Sequence, residues 1–235
     1  MSVSVVVLAA GKGTRMKSDL PKVLHKVLGR PLLVHALDKL SFIENQYVVV
    51  GHESDMVINS LPSSTKHILQ KDQLGTGHAV ATVVSDDLFV KNKSEFTVVV
   101  PGDVPAIDSK DIKLLISEVE TKSSPVGFLT AIVDNPYGYG RVIRNNEETR
   151  IVEEKDCIDG EREINEINSG VYCFKTDFLI ENIDSLDTKN AQGEFYLTDL
   201  IGIANNQKQD IVIVQVDENS IKGINSMSQL NEVED

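Results

Sequence analysis

A turn that contains glycines and basic residues follows the first apolar run of the chain. Its residues are Leu8, Ala9, Ala10, Gly11, Lys12, Gly13, Thr14, Arg15 and Met16. The small side chains let backbone N–H groups approach a phosphate or a nucleobase, and Arg15 can donate paired hydrogen bonds to phosphate oxygens. Met16 stands where the Walker A and dinucleotide-binding motifs require a glycine, so neither motif is present. The pattern fits a phosphate-binding loop and a tight turn equally well.

Two charged side chains further along the chain could complete an anion site. Lys22 follows Pro21, and a lysine after a proline-stiffened turn can reach back over the preceding loop as a point charge for phosphate. Asp103 follows Pro101 and Gly102 at the end of an apolar run. One carboxylate there suffices for Mg²⁺, which takes its other ligands from phosphate oxygens. Each residue also has a plainer interpretation, as an exposed lysine and as a turn or helix-capping aspartate.

The charge distribution limits the class of partner. The chain has 235 residues and a net charge of -13, which argues against a nucleic acid or an anionic membrane, because both require a basic surface. Between Gly11 and Arg30, however, six strong cations stand against a single acid, Asp19. The six are Lys12, Arg15, Lys17, Lys22, Lys26 and Arg30. An acidic protein with one basic stretch is suited to a small, highly charged anion, although a solvated basic surface is the alternative.

Nothing in the sequence predicts export or membrane insertion. No run approaches the roughly 18 to 20 consecutive apolar residues that a membrane helix requires, and Met1 opens directly into a strand-like segment. The two cysteines, Cys157 and Cys173, have neither CxxC nor zinc-type spacing. We therefore expect a cytoplasmic protein whose cysteines are reduced and buried.

Strand and helix patterns alternate along most of the chain. Five short, β-branched apolar runs predict strands buried on both faces, at residues 3–8, 46–50, 96–100, 126–133 and 211–216. Helical spacing of apolar residues predicts crossover helices at 31–42, 77–88 and 109–120, the last capped by Asp108 or Ser109. This alternation predicts an α/β fold, a Rossmann-like, doubly wound, mostly parallel mixed sheet.

One segment departs from this rhythm without marking a second domain. Residues 137–174 are predicted to form shorter strands with many charges and glycines. After them, a predicted helix at 194–205 and the strand at 211 continue the alternation of helices and strands. We interpret 137–174 as a lid-like β insertion within a single domain at 1–225. Residues 226–235 are predicted to start a C-terminal helix that could be a truncated linker. In open α/β sheets ligands bind beyond the carboxyl ends of the strands, where Gly11 and Asp103 follow two of the predicted strands.

A series of short motifs, in order, covers essentially the whole chain. They occupy residues 8–16, 20–24, 73–79, 102–105, 138–141, 151–156, 166–170, 192–199 and 223–225. Together they resemble the nucleotidyltransferase domain of the bacterial family of bifunctional N-acetylglucosamine-1-phosphate uridylyltransferase/glucosamine-1-phosphate acetyltransferases. The first motif is shared by sugar nucleotidyltransferases generally. Segments 73–79 and 138–141 are narrower and favour the N-acetylglucosamine enzymes over thymidylyl-, guanylyl- or glucose-specific relatives.

The resemblance implies an in-line displacement at phosphorus. A phosphate oxygen of N-acetylglucosamine-1-phosphate attacks the α-phosphorus of UTP, UDP-N-acetylglucosamine forms and pyrophosphate leaves. Because a sugar phosphate is already an anionic nucleophile, no general base is needed, and the task is to bring two anions together. By resemblance, Arg15 and Lys22 are the catalytic cations, and Asp103 and Asn225 are the ligands of a Mg²⁺ cofactor.

The resemblance also assigns the contacts to the two substrates. Uridine is expected on the backbone of Leu8, Ala9, Ala10 and Gly11, on Gln70, and on the turn formed by Gly75 and Thr76. The N-acetylglucosamine moiety is expected on Gly140, Glu154 and Asn168. The remaining expected substrate contacts are Lys22, Pro101, Gly102, Asp103 and Asn225. The Gln70 amide suits the uracil imide edge because it offers a donor and an acceptor together.

The chain departs from the family pattern in three respects. The left-handed β-helix with hexapeptide repeats, which in the family carries the acetyltransferase and forms the trimer, has no counterpart in these 235 residues. Pro101 replaces the usual aromatic or polar residue, and Ser169 replaces the commoner threonine. We expect no acetyl transfer from this chain, a monomer or weak dimer, and a trimer only if the full protein has a β-helix. The expected partners are the two small-molecule substrates, with no nucleic acid and no membrane.

Two alternative functions remain open and a third is disfavoured. A nucleotidyltransferase of the same fold could use another base or sugar-1-phosphate, since base choice depends mainly on Gln70 and the turn at Gly75. A non-catalytic nucleotide-sugar-binding protein would have less need for the full set of charge-neutralising residues. A Rossmann-type oxidoreductase is disfavoured because Met16 breaks its glycine fingerprint and Gly51 and His52, not an acid, follow the second predicted strand.

Overall fold

The computed structural model describes residues 1–13, 16, 18–145 and 148–223. Arg15, Asn225 and the segment 226–235 lie outside the described residues. The catalytic role of Arg15, the metal and substrate roles of Asn225 and the C-terminal helix therefore stay predictions.

Eleven strands and eight helices are formed by the described residues. In chain order the first are β1 (Val3–Leu8), β2 (Lys26–Val27), β3 (Arg30–Pro31), α1 (Leu32–Lys39), β4 (Asn45–Val50), α2 (Ser54–Ser60), β5 (Lys66–Leu69), α3 (Thr76–Val84), α4 (Asp87–Lys91) and β6 (Phe96–Pro101). The others are α5 (Ser109–Thr121), β7 (Val126–Ile132), β8 (Arg141–Arg144), β9 (Thr149–Val152), β10 (Glu166–Lys175), α6 (Thr176–Asn182), α7 (Asp199–Asn206), β11 (Ile211–Gln215) and α8 (Glu218–Ile221). Short 3-10 turns occupy Lys22–Leu24, Glu161–Glu163 and Ile183–Ser185.

The central sheet has the strand order β11-β7-β10-β6-β1-β4-β5. Strand β1 pairs in parallel with β4 and β6, β4 pairs in parallel with β5, and β11 pairs in parallel with β7. Strand β10 is antiparallel to both of its neighbours, β6 and β7. Strands β8 and β9 pair with each other and attach to β10, while β2 and β3 form a separate hairpin. The predicted doubly wound, mostly parallel mixed sheet is confirmed.

Apolar side chains of the central strands are buried on both faces of the sheet. In β1, Val5 and Val7 belong to a core cluster that includes residues of α1 and α5. Val6 points to the other side and joins a cluster that includes residues of α3, α6 and α7. Successive residues of a strand face opposite sides, so a strand covered by helices on both sides must be apolar throughout. This accounts for the continuous apolar runs from which the strands were predicted.

The structure corrects the extent of the lid-like insertion. Residues 137–174 were predicted to form a lid, but β10 is a central strand of the main sheet. Within the described part of 137–174, β8, β9 and their loops lie off the central order of strands. Because β10 runs antiparallel to β6, its amino end lies at the edge where β1 and β6 have their carboxyl ends. The antiparallel direction of β10 therefore brings its first residues to the edge at which ligands bind in such sheets.

Two helix boundaries differ from the prediction because of specific hydrogen bonds. The predicted helix 77–88 divides at Asp86, whose side chain accepts from the N–H of Leu88 at 2.8 Å and caps α4. The predicted helix 194–205 begins only at Asp199. Upstream, Phe195 O accepts from Gly77 N–H at 2.8 Å and Asp199 N–H donates to Tyr196 O, whereas a helix starting at 194 would pair Asp199 N–H with Phe195 O. The predicted Asp108 cap of α5 is confirmed by its 2.8 Å bond from Lys110 N–H.

The two cysteines are buried, as expected from the sequence. Cys157 and Cys173 are buried and unpaired. Burial raises the pKa of the Cys173 thiol to about 12, so this side chain behaves as a small apolar group. Among the described residues, no helix is long and apolar enough to span a membrane.

Candidate active site

A cleft of about 830 Å³ lies at the edge of the sheet where β1, β5 and β6 end and β10 begins. The predicted site residues that line it are Leu8, Ala9, Ala10, Gly11, Lys22, Gln70, Gly75, Thr76, Pro101, Asp103, Gly140 and Asn168. These residues come from six separate segments of the chain. The fold therefore gathers most of the predicted site into one cavity.

The loop after β1 forms the floor of the cleft. It is anchored by backbone hydrogen bonds from Ala9 N–H to Val49 O at 2.9 Å and from His52 N–H to Ala10 O at 3.2 Å. At Gly11 an added Cβ would meet no atom within 4 Å, so the loop faces open space there. At Gly13, by contrast, φ is +58° and an added Cβ would lie 2.5 Å from Cβ of Lys22. The loop thus leaves room for a ligand at Gly11 and packs closely against Lys22 at Gly13.

Lys22 and Asp103 form an ion pair inside the cleft. Lys22 begins the 3-10 turn after Pro21, and Asp103 follows β6. Their side chains are only 17% and 14% exposed, so both charges are held where a ligand would displace the remaining water. Gly102 does not line the cleft; its N–H donates to Leu8 O at 2.9 Å and fixes the start of this loop against β1.

Only part of the basic stretch belongs to the cleft. Lys12 lines it together with Lys22. Lys26 is exposed on the β2–β3 hairpin, and Arg30 pairs with Asp38 of α1 at 2.7 Å. Two of the six cations predicted to face an anion therefore lie on the hairpin.

Gln70 and the turn at Gly75 form one end of the cleft. Gln70 is 3% exposed, and its Nε2 donates to Gly75 O at 3.2 Å. Gly75 has φ of +113°, which a residue with a side chain rarely adopts. The turn is joined to the loop before α7, because Phe195 N–H donates to Leu74 O and Gly77 N–H donates to Phe195 O, both at 2.8 Å. Hydrogen bonds on both sides therefore hold the turn in place.

Asn168 of β10 lies at the opposite end. The register of β10 shifts just after it, and Gly170 in this irregular stretch has φ of +77°. The Asn168 side chain donates from Nδ2 to the Tyr172 hydroxyl at 2.6 Å, and its Oδ1 accepts from Gly170 N–H at 3.2 Å. An added Cβ at Gly170 would lie 2.9 Å from Cγ of Pro101. The residue that departs from the family pattern at 101 thus packs against the bulge that positions Asn168.

Glu154 is not brought to the cleft with the other predicted residues. Its Oε2 pairs with Arg141 at 2.8 Å and accepts from Gly138 N–H at 2.9 Å. Arg141 is 1% exposed and also donates to Tyr139 O, so its charge requires a carboxylate partner nearby. Glu154 therefore braces the loop from Gly138 to Gly140 from behind.

The neighbouring Glu153 lines the cleft instead. Its Oε1 accepts from the Thr198 hydroxyl at 3.3 Å. Burial raises the pKa of Glu153 above its ordinary value of 4.5, although the bond from Thr198 lowers it in part. The negative charges of three nearby carboxylates, Asp156, Asp199 and Glu194, also raise the pKa of Glu153. Among the described residues no cation offsets the charge of Glu153, and keeping a buried carboxyl in this way is typical of a group kept for a ligand.

The two adjacent glutamates are expected to have opposite effects on stability as the pH changes. Because the folded pKa of Glu153 is raised, its carboxyl stabilises the fold below its unfolded pKa, and this contribution is lost as the pH rises through the folded value. Glu153→Gln should therefore raise Tm relative to wild type, and by more as the pH rises from the ordinary carboxyl pKa of 4.5 toward the raised folded value. The scale is about 2–4 °C for each kcal/mol in a chain of this size, measured by calorimetry across the range.

Glu154→Gln is the matched control for this measurement. Burial raises the pKa of Glu154, but the bonds from Gly138 and Arg141 outweigh it and leave the pKa below its ordinary value. Its contribution is therefore present above the unfolded pKa and is lost as the pH falls through the folded value. The variant should be destabilised most at neutral pH and least in acid. Parallel Tm curves for the two variants would contradict this account of both carboxyls.

Several cleft residues were not among those predicted from the sequence. They include Lys12, Gly138, Tyr139, Glu153, Ser169, Gly170, Tyr172, Glu194, Leu197 and Thr198. Most lie inside or beside the motifs already noted. For Glu153 the sequence offered only its place beside Glu154 in the motif at 151–156, which does not distinguish the two carboxylates.

The chain is similar to known nucleotide-handling proteins in sequence. Residues 5–145 match the family described as the MobA-like NTP transferase domain. The bifunctional protein GlmU of Fervidobacterium nodosum is 44% identical over 232 residues, covering 99% of this chain and 50% of that protein. The protein of the same name from Clostridium beijerinckii is 43% identical over 235 residues, covering 98% and 51%. The chain therefore spans about half the length of these curated relatives.

Solved structures show the same fold at low identity. A Bacillus anthracis protein described as a glucose-1-phosphate thymidylyltransferase superposes with a TM-score of 0.76 at 21% identity, covering 99% of this chain and 94% of that chain. A CMP:2-keto-3-deoxy-manno-octonic acid synthetase complexed with CTP superposes with a TM-score of 0.70 at 15% identity, covering 100% and 97%. At these identities the likeness concerns the fold alone.

Proposed function

The chain belongs to the MobA-like NTP transferase domain family, and on that basis we propose that it transfers the uridylyl group of UTP to N-acetylglucosamine-1-phosphate. The products are UDP-N-acetylglucosamine and pyrophosphate. The proposal extends to this chain the first of the activities implied by its resemblance to the bifunctional family. It is supported by the identity to two GlmU proteins and by the arrangement of polar groups in the cleft.

The order of strands carries the proposal. Across the edge of the sheet, Asn168 lies in β10, Asp103 follows β6, Gly11 follows β1 and Gln70 follows β5, in that spatial sequence. The middle of the cleft thus holds the small-residue loop and the Lys22–Asp103 pair, with neutral amide groups at both ends. A nucleotide sugar has the same order, with two neutral polar ends joined by phosphates. The match in chemical order favours a base at the β5 end and a sugar at the β10 end.

The β5 end offers a pair of groups complementary to an imide edge. Nε2 of Gln70 is engaged by Gly75 O, which leaves Oε1 as an acceptor, and no described residue donates to it. The N–H of Gly75 likewise donates to none of the described residues. An acceptor beside a donor matches N3–H and a carbonyl oxygen of uracil or thymine, and it mismatches cytosine, which has an acceptor at N3. The base is therefore proposed to be uracil, held by Gln70 and Gly75.

The β10 end offers several groups for sugar hydroxyls and an acetamido group. Gly140 and Asn168 are joined by a 2.8 Å bond from Asn168 N–H to Gly140 O, and both line the cleft. Glu153 and Thr198 face the same cavity. Sugar hydroxyls both donate and accept, so a mixed set of amide, hydroxyl and carboxyl groups suits them. We propose that Glu153, and not Glu154, supplies the carboxyl group that contacts the sugar.

The chemistry requires charge neutralisation and alignment. A phosphate oxygen of the sugar phosphate forms a bond to the α-phosphorus of UTP, and the bond from that phosphorus to the bridging oxygen of pyrophosphate breaks. Lys22 would offset the charge of the phosphates in the cleft, with Lys12 near the same loop. The backbone from Ala9 to Gly11 would hold the nucleotide so that the attacking and leaving oxygens are in line. We propose the same charge-offsetting role for Arg15, as predicted from the sequence.

The donor set is compatible with Mg²⁺. Among the described residues no three His, Cys, Asp or Glu side chains are grouped as a metal site. At triphosphate sites, however, Mg²⁺ usually takes one or two protein carboxylates, and phosphates and water supply the rest. The partly buried Asp103 carboxylate meets this need, and Asn225 is proposed as the second ligand. When bound, the ion would stabilise the charge that develops on the leaving pyrophosphate.

The test is pyrophosphate release by the purified chain with Mg²⁺ and defined pairs of substrates. The kcat/KM for UTP with N-acetylglucosamine-1-phosphate is expected to be at least about tenfold higher than for any pair that contains CTP or glucose-1-phosphate. Removal of Mg²⁺ with EDTA should abolish the signal, and its re-addition should restore it. Thymine presents the same imide edge as uracil. Pairs containing dTTP therefore measure how far the cleft distinguishes ribose from deoxyribose and excludes a 5-methyl group on the base.

Two results would overturn the proposal in different ways. A higher kcat/KM for another base or sugar-1-phosphate would leave the reaction class intact and replace the substrates named here. Tight binding of UDP-N-acetylglucosamine without pyrophosphate release from any pair would instead favour a nucleotide-sugar-binding protein. Calorimetric titration with UDP-N-acetylglucosamine separates this second case from a misfolded preparation.

A further inference from the structure

His78 lies directly behind Gln70 and does not line the cleft. It belongs to the first turn of α3, its ring is half-buried, and it packs near the Phe195 ring with centroids 6.3 Å apart. Its Nδ1 is 2.9 Å from Nε2 of Gln70. The imidazole therefore touches the side chain that is proposed to read the base, from the side away from the ligand.

The carbonyl of Gly75 determines how the two side chains share their protons. A carbonyl oxygen can only accept, so the nitrogen of the Gln70 amide must face it, at 3.2 Å. The second hydrogen of the same nitrogen is directed to His78, so Nδ1 must be the unprotonated acceptor and the ring proton lies on Nε2. Both hydrogens of the amide are thereby used within the protein. The amide therefore presents Oε1 to the cleft and has no N–H of its own left to donate to a ligand.

From this arrangement we propose that His78 is a positioning residue for base specificity. It locks the Gln70 amide with Oε1 toward the ligand, so that the site accepts the N3–H of a uracil-type base and rejects cytosine. If the amide turned over, Oε1 would face the Gly75 oxygen, which has no proton to donate, and His78 could pair with Oε1 only by moving its ring proton from Nε2 to Nδ1. The Gly75 carbonyl and the Nε2–H form of His78 together hold the amide in one orientation. This inference rests on the proposed assignment of Gln70 to the base.

Two substitutions of His78 separate orientation from packing. His78→Leu has a side chain of similar length that can still pack against the turn, but it removes the acceptor. One hydrogen of the Gln70 amide is then left unpaired, and Gly75 O alone holds the amide. His78→Asn supplies an amide oxygen near the position of Nδ1 and should keep the acceptor, because Gly75 still requires the nitrogen of Gln70 to face it.

The measurement is the ratio of dissociation constants for UTP and CTP, by calorimetric titration with Mg²⁺ present. We expect wild type and His78→Asn to prefer UTP to a similar degree, and His78→Leu to lose about tenfold or more of that preference. In turnover, the loss should be in KM for UTP with kcat little changed, as for an interaction made equally before and during reaction. Long-range ¹H–¹⁵N correlation spectra should show wild-type His78 with its proton on Nε2.

The possible failures are distinguishable. If His78→Leu weakens UTP and CTP binding equally, or leaves the ratio unchanged, His78 only packs against the turn and the inference is overturned while the proposed function stands. A proton found on Nδ1 of His78 has the same consequence. If wild type shows no preference for UTP over CTP, the proposed function and this inference are both overturned. Thermal melting of both variants identifies a loss of binding that comes from unfolding.

Discussion

Replacement of Lys22 by methionine is expected to lower kcat/KM for pyrophosphate release by about 10²- to 10³-fold, mostly through kcat. The Lys22 side chain is 17% exposed and is held in the middle of the cleft by Asp103 and by the close packing of Gly13 on its Cβ. A fixed charge in a site from which water is largely excluded stabilises developing charge without reorganisation. Methionine keeps the aliphatic part of the side chain and removes the charge, so steady-state kinetics measure the charge alone.

Lys26→Met is the matched control for this experiment. Lys26 belongs to the same basic stretch but is exposed on the β2–β3 hairpin, so its substitution should change kcat/KM by less than about twofold. Asp103→Asn should raise the Mg²⁺ concentration needed for half-maximal rate. The losses from Lys22→Met and Asp103→Asn should not add in the double variant, because the two side chains are in contact. Equal activities of Lys22→Met and Lys26→Met would remove Lys22 from the mechanism.

The strands that could be predicted from the sequence are those whose burial is continuous. Runs such as Val3–Leu8 and Phe96–Pro101 are apolar on both faces because helices cover both faces, and such runs are visible without a structure. Strand β10 was not recognised because Asn168, Ser169 and Gly170 interrupt it with residues typical of a turn. Its position between β6 and β7 depends on pairing with segments far away in the sequence, which no local pattern records.

The site residues that could be predicted follow directly from strand ends and motifs. Gly11 and Asp103 follow parallel strands that the sequence predicted, and the sheet brings them to one edge. Gln70 follows β5, a strand that was not predicted, and was identified through the family resemblance alone. The choice between Glu153 and Glu154 required the position of Arg141, because the buried guanidinium of Arg141 forms an ion pair with Glu154. Nothing in the spacing of the sequence shows that this arginine is buried.

The use of the Gln70 amide also needed the structure. From the residue type, the amide offers a donor and an acceptor to the base. In the structure both amide hydrogens are taken by Gly75 O and His78 Nδ1, and the donor for the base must come from elsewhere. The Gly75 N–H is proposed for that task. A side chain's hydrogen-bonding capacity toward a ligand is therefore what remains after its protein partners are satisfied.

Gly75→Ala is expected to weaken UTP binding by at least about 100-fold and to lower stability, because alanine fits neither the backbone nor the space. The residue has φ of +113°, and a Cβ there would lie 2.5 Å from Phe195 O and 2.9 Å from Cβ of Glu194. Neither the backbone oxygen nor the turn can move without breaking the bonds that join residues 74–77 to the loop before α7. The turn should therefore shift, and its N–H and carbonyl would leave the positions that face the base and Gln70.

Gly160→Ala separates the backbone effect from the clash. Gly160 also has a positive φ, +89°, but an added Cβ would meet no atom within 4 Å, and the residue is not part of the cleft. This variant should lose about 1 kcal/mol of stability by urea unfolding and bind UTP as wild type does. If Gly75→Ala is destabilised yet also binds UTP normally by calorimetric titration, the turn does not hold the base. In that case the donor and acceptor that distinguish uracil from cytosine must be sought elsewhere in the cleft.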